Sequence, residues 1–453
     1  MDLIQEINSG LESLGLAEAA AEDADFQERL LILQDRMQAI EETGLVSRDQ
    51  VQQLVASGVE INERRYPIAS FTIEPSPVGV RPALEAADSE RKSMFIKMLN
   101  AAVELFRKIK AWILAQFSKL MALIKSKVGV DAAKNAENAP KALPVLDSMI
   151  LDTERHMRTL AAEARAKGSL GVKVVEEIQD IWKKFLDRDH QIAANLLSNR
   201  FFNSELLTNH QLRVDVRASQ QSFATVAVHM LEHMKTANTR LQRIVSGTRT
   251  PEQVDSDMVA LLQYLEKGTH HPFTTALAQR YGEDHGDEAT SVLEGYSALV
   301  SYITSSQPAD QDMGGDWMML SKNIGNIVQD ISPSSWINSI GGSEKVFKLD
   351  IEAATDPTRL ILVLDRSEQA RDVIRILTEA QKDMANGLKA VFRIEAGMAS
   401  LILAIGHAVQ DRINAFIGVG MQIENQYRKL DLETKWTPVY SKFVQDMDNL
   451  VSK

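Results

Sequence analysis

Residues 211–246 read QLRVDVRASQQSFATVAVHMLEHMKTANTRLQRIVS. Leu212, Val216, Ser219, Phe223, Val226, Met230, His233, Ala237 and Ile244 recur at heptad-like intervals along it, the stripe of a helix that packs in a bundle or a coiled pair. Similar 3–4 spacing runs through most of the chain, and only 12 of 453 residues are proline. The predicted class is therefore mainly α: an elongated arrangement of multi-helix bundles.

Working outward from that segment, helices are predicted at 141–166, stopped by Gly168, and at 171–188. Thr250-Pro251-Glu252-Gln253 opens another, with Thr as cap, Pro in the first turn and Gln three residues on. Further helices are predicted at 287–304 and 316–330. Residues 129–140 are small and polar and read as a linker. Val346-Phe347-Lys348-Leu349 and Leu360–Leu364 read equally as strands or as pieces of buried helix. From Ser367 to about Tyr427 runs a long apolar helix with Gly387, Gly397, Gly406, Gly418 and Gly420 inside it. Such glycines weaken a helix unless close packing uses the missing side chain. The 396–420 part reads as a buried hairpin or as a conditional membrane insert.

Toward the N-terminus, 26–42 reads as a helix with Leu30, Leu33, Met37 and Ile40 on one face, ended by Gly44. Ser47 caps a shorter helix through Val55. Tyr66 to Pro82 then carries four prolines (Pro67, Pro75, Pro77, Pro82), which hold the chain extended and remove donors. A helix follows from Ser93 to Val128, with Phe95, Leu99, Phe106, Ile109, Trp112, Ile113, Phe117, Leu120 and Ile124 as its apolar side. The expected division is an acidic helical propeptide with a Pro-rich linker (1–85, linker 66–85), a basic amphipathic helix (86–128), a helical body (129–345) and a C-terminal helical region (346–453).

Charge divides the chain in the same way. Residues 1–90 hold 18 acidic residues and six arginines, which is the entire formal charge of −12; residues 91–453 hold 44 of each sign. The segment 91–128 carries Arg91, Lys92, Lys97, Arg107, Lys108, Lys110, Lys119, Lys125 and Lys127 against one acid, Glu104. These nine are the candidates to face phosphate, of DNA or of anionic lipid, unless they are simply the solvated face of a packed helix. The acidic front would screen such a surface.

Composition excludes several chemistries. With no cysteine there is no disulfide framework, thiolate metal site or cysteine nucleophile. The N-terminus lacks a basic, then apolar, secretory pattern. No run reaches the ~18 uninterrupted apolar residues of a membrane span. There is no P-loop, GxGxxG or GxSxG. His229-Met230-Leu231-Glu232-His233 spells the inverted zincin pattern, two histidines a turn apart with a glutamate as base. That chemistry needs a third ligand, for which Glu294 is the candidate, whereas His233 on the apolar stripe equally reads as a seam histidine. No metal or other cofactor is expected. His270-His271-Pro272 and Asp284-His285-Gly286-Asp287 read as polar turns, with a loop metal site as the alternative, and Asp310–Asp316 lacks the glycine and terminal glutamate of a calcium loop. Asp365-Arg366 after the run 360–364 reads as a cap or surface pair, or else as a catalytic Asp at a strand end.

One strip carries a resemblance. Tyr66-Pro67-Ile68-Ala69-Ser70-Phe71-Thr72, then Pro75-Ser76, then Ala83-Leu84-Glu85-Ala86 resembles a segment near the N-terminus of internal head (virion structural) proteins of large-genome tailed bacteriophages. There an acidic helical propeptide precedes the strip and a hydrophobic or basic helix follows it. The resemblance is close over 66–86 and extends to the layout of 1–130. It implies a non-enzymatic virion protein, assembled in the host cytoplasm and packaged in the head interior. It also implies that a prohead protease removes the propeptide. Such proteases favour a small residue two before a glutamate, which places cleavage after Glu85, at Ala83-Leu84-Glu85-Ala86. Gly10-Leu11-Glu12 and Ala20-Ala21-Glu22 fit the same triplet. The implied partners are the protease, scaffold or core and head proteins, and genomic DNA. A different expectation from the basic helix and apolar tail is an ejection protein that binds anionic membrane. A zinc hydrolase on His229, Glu232 and His233 is a remote third.

Overall fold

The structure, a computed structural model, describes residues 107–199, 201, 202, 204–246, 250–268, 271–282, 293–305, 317–348 and 370–451. These are helical almost throughout, and no strand occurs among them. In chain order the helices are α1 (107–125 as described), α2 (Lys127–Arg165), α3 (Ser169–Leu197), a 3-10 turn (Glu205–Leu207), α4 (His210–Ser246), α5 (Pro251–Gly268), α6 (Pro272–Tyr281), α7 (Glu294–Ser305), α8 (Trp317–Asp330), α9 (Pro333–Phe347), α10 (Ala370–Arg428) and α11 (Glu433–Val451). The mainly α class is as the periodicity predicts. The helices foreseen at 26–42 and 47–55, the strip 66–85 and the run 360–364 lie outside the described residues.

Two compact units are present. The first takes 107–111, 231–268 and 370–382; the second takes 112–230, the described parts of 269–348, and 383–451. In the first unit, Ala237, Leu241 and Ile244 of α4 meet Val254, Met258, Leu261 and Leu265 of α5 and Val373 and Leu377 of α10. The entry to α5 is the capping box the sequence predicts. The Gln253 amide donates to Thr250 Oγ1 at 3.4 Å and the Thr250 amide to Gln253 Oε1 at 3.2 Å, so two otherwise orphaned donors are satisfied.

The second unit is organised on α2, which packs against α3, α8, α9 and α11. Of the stripe read from 211–246, Leu212, Val216, Phe223, Val226 and Met230 are buried in this unit. Ser219 is buried too, its hydroxyl donating to the Val216 carbonyl at 2.7 Å. Phe223 meets Tyr296 at 5.9 Å and Phe347 at 5.9 Å, and Phe347 meets Phe117 of α1 at 5.3 Å. Edge-on and tilted contacts of this kind join α1, α4, α7 and α9.

Four readings are corrected by this architecture. The predicted linker 129–140 is the first third of α2. Its small residues Ala132, Ala133, Ala136 and Ala139 are buried, because the α10 backbone approaches there: a Cβ on Gly406 would collide with the Ala132 carbonyl oxygen. The basic helix expected to run to Val128 ends at Lys125. The Ser126 hydroxyl accepts from the Gly129 amide at 3.1 Å and starts α2. The boundary drawn at 345/346 falls inside α9, so Val346 and Phe347 are helical and buried and make no strand. The expected hairpin over 396–420 is uninterrupted helix within the 59 residues of α10. Its glycines allow close approach: a Cβ would strike Leu293 at Gly387, the Phe201 ring at Gly397 and the Tyr440 ring at Gly420.

Candidate functional site

Arg91, Lys92 and Lys97, with the cleavage-site residues Ala83, Leu84, Glu85 and Ala86, lie outside the described residues. In the first unit Arg107 and Lys108 are exposed and Lys110 is half-buried; in the second Lys119, Lys125 and Lys127 are exposed. Ile109, Ile113, Phe117, Leu120 and Ile124 of the same helix are buried. The basic residues of α1 therefore sit on the outer faces of a helix whose apolar stripe is spent inside the protein. The face in the second unit is mixed in sign. Exposed Glu344 of α9 is held below the usual carboxylate range, first by its bond from Lys348 at 2.6 Å and further by the nearby charge of Lys125.

The three zincin-pattern residues have separate environments. His229 and Glu232 are exposed. The His229 ring faces His271 at 5.9 Å, and burial followed by the charge of His229 pulls the His271 pKa down. His233 is half-buried and stacks on Tyr264 at 4.3 Å, and Arg240 lies over the same Tyr264 ring at 3.9 Å. Among the described residues no three His, Asp or Glu are grouped as metal ligands. His271 also caps α6, its Nδ1 accepting from the Phe273 amide at 3.3 Å, which accounts for the His-His-Pro turn. His270, 284–287, 310–316 and 365–366 lie outside the described residues.

The polar groups most deeply held in the second unit escaped the sequence reading. Arg412 of α10 is 2% exposed. It donates through Nε to Asp189 of α3 at 2.8 Å and through Nη1 to Asp147 of α2 at 2.6 Å. Its guanidinium lies 4.1 Å from the Trp317 ring centre, and Ser321 donates to Asp147 at 3.2 Å. One cation thus serves two carboxylates. Burial raises the Asp189 pKa, while the bond and charge of Arg412 work against that rise. Asp330 ends α8 and accepts from His210 Nδ1 at 2.8 Å and from Arg213 Nε at 2.6 Å. Burial works to raise its pKa, but these two bonds together hold it low. Asp215 accepts from both Arg280 and Tyr281, and burial, then that bond, raises the Tyr281 pKa. Glu395 of α10, 1% exposed, accepts from Ser343 Oγ at 2.8 Å and from Gln220 Nε2 at 3.2 Å. Each of these groups fastens helices far apart in the chain, and charged residues in the phase of an apolar stripe were their one sequence signal.

A cleft of about 390 Å³ opens between α2 and α3. Met157, Ala161, Val175, Ile178 and Trp182 line it, with Tyr427 of α10, whose pKa burial pushes up to about 12. Arg158, Arg165 and Lys183 stand at its sides with Glu154 and Gln179. No described helix is long and apolar enough to cross a membrane. Comparison of the chain with protein-family models, with curated proteins and with solved structures finds no match.

Proposed function

We propose that this chain is a non-enzymatic structural protein of a tailed-phage virion, assembled in the host cytoplasm and packaged inside the head, whose acidic front is removed after Glu85 by the prohead protease. The observation that carries the reading is the strip Tyr66–Ala86, set between a front of strong negative charge and a remainder of balanced charge. A Pro-rich tether suits the extended strand that a protease binds. Removing 1–85 takes away 16 acidic residues and six arginines, leaving a body near neutrality that can share a compartment with genomic DNA. The front segment serves in this reading as the address to scaffold or core proteins. The buried arginines Arg412 and Arg213, and the half-exposed Arg280 on buried Asp215, support a structural role, since they use charge to join helices.

N-terminal sequencing and peptide mapping of purified particles test the proposal. The expected mature N-terminus is Ala86, with peptides from 1–85 depleted relative to the body. Recovery of 1–85 at the level of the body would refute trimming, and absence of the chain from particles would refute the virion assignment.

A further inference from the structure

We infer that His229 and His271 form an acid-sensitive latch on the first turn of α6, closed while His271 is neutral and released when it takes up a proton. The latch is a helix cap. Pro272 has no amide hydrogen, so the Phe273 amide is the first donor of α6, and the His271 ring accepts it through Nδ1 at 3.3 Å. A ring nitrogen accepts only through its lone pair. Once Nδ1 carries a proton, two donors face each other and the cap is lost. The main chain holds the ring in this place: the Thr274 and Thr275 hydroxyls donate to the His271 carbonyl at 2.9 and 3.0 Å. An imidazolium here would also stand at the positive end of α6.

His229 works in the same direction. Its ring lies 5.9 Å from that of His271. Two imidazolium rings that close repel one another, and burial also opposes charge on His271, so its pKa lies below the ordinary histidine value. Of the other charged groups on the helices packed against α6, Asp215 takes Arg280 and Tyr281, and Arg217 donates to the Asp330 carbonyl at 3.2 Å. Glu232, one turn beyond His229 along α4, and Glu294 at the start of α7 are exposed. None of these sets the charge of His271, which burial and His229 govern. Nor is the pair a metal chelate: with Nδ1 engaged as acceptor, the neutral ring keeps its hydrogen on Nε2, and neither nitrogen offers a lone pair.

The latch holds the start of α6 on α7. Phe273 meets Tyr296 at 6.0 Å, and the Thr274 backbone lies so close to Gly295 that a Cβ there would strike the Thr274 carbonyl oxygen. The far end of α6 has a separate fastening, Arg280 and Tyr281 on Asp215, so acid frees the first turn and leaves the last in place. This inference is independent of the virion assignment.

Hydrogen exchange of the full chain, resolved by mass spectrometry and corrected for the intrinsic rate at each pH, tests it. From pH 7.5 to pH 5, protection at the start of α6 should fall about fivefold, the loss of one cap. The first turn of α5, capped by Thr250 and Gln253, should keep its protection over the same range. His271→Asn retains a capping acceptor that does not titrate and should abolish the fall. His229→Gln removes the opposing charge, so His271 takes up its proton more readily and the fall should move to higher pH; His229 is exposed, so this variant disturbs no packing. Constant protection at the start of α6, an unchanged fall in His271→Asn, or a fall that His229→Gln leaves in place or displaces to lower pH would each overturn the inference. So would an equal fall at the start of α5, which would mark acid unfolding of the whole chain.

Discussion

Replacing Glu395 by glutamine should make the protein more stable at pH 8 and leave it nearly unchanged at pH 4.5. Burial moves the Glu395 carboxyl from 4.5 to about 7, and the bonds from Ser343 and Gln220 only partly oppose that rise. The folded state therefore holds this proton more tightly than the unfolded chain does. Below pH 4.5 the group is protonated in both states and makes no difference. Between 4.5 and about 7 the unfolded chain ionises while the folded one does not, so stability falls as pH rises; above 7 the loss levels off. At about 1.4 kcal/mol for each pH unit, the window amounts to about 3 kcal/mol. Glutamine keeps the shape and the capacity to bond Ser343 and Gln220 but has no proton to lose. Urea unfolding of wild type and variant from pH 4.5 to 8.5 isolates the effect as a difference curve, free of every other titrating group. The curve should climb in favour of the variant by about 3 kcal/mol and then flatten. A flat difference, or a variant that loses stability as pH rises, would refute the account of a carboxyl made costly by burial.

Three other outcomes follow from the same packing. Gly406→Ala forces a methyl into the Ala132 carbonyl and should cost about 2 kcal/mol or more, whereas Gly418→Ala on the same helix meets nothing within 4 Å and should gain about 0.5–1 kcal/mol, both read by chemical denaturation. Arg412→Met leaves Asp147 and Asp189 without their cation and should cost about 3–5 kcal/mol at neutral pH, less in acid, where Asp189 takes up a proton most readily; equal loss at pH 4 and pH 8 would contradict this. Ser126→Ala removes the cap of α2 and should cost about 1 kcal/mol in the same assay.

What the sequence discloses here is periodicity and local punctuation. The stripe of 211–246 marks its buried residues because helical phase is written in each turn, and the Thr250–Gln253 box is legible because both partners lie within four residues. The buried ion ties are different in kind. Asp147 and Arg412 are 265 residues apart, Asp189 and Arg412 are 223 apart, and Arg213 and Asp330 are 117 apart. A single arginine among apolar neighbours says only that some counter-charge must be near, since an unpaired buried charge is prohibitive, and leaves the partner unnamed. The α2–α3 cleft is less legible still, because it is formed by what two helices leave uncovered.

The misreading of 129–140 has a physical cause that also explains α10. Small residues are ambiguous: in water they accompany flexible linkers, while between helices they permit backbones to touch. Two features separate the cases here. Gly129, Ala132, Ala133, Ala136 and Ala139 repeat at helical spacing and are buried, while Asp131 and Lys134 between them are exposed. The glycines of α10 supply the complementary surface, and Gly406 meets the Ala132 backbone at the point where a side chain on either helix would hold them apart. Asn135 then donates to Gln410 at 2.9 Å, one turn along each helix, a polar bond across the contact. A tract of small residues that keeps helical phase is thus a contact surface whose partner must also be small. In this chain the glycine-bearing helix near the C-terminus is that partner, so the two features that looked weakest as helix, an alanine-rich tract and a glycine-rich one, each account for the other.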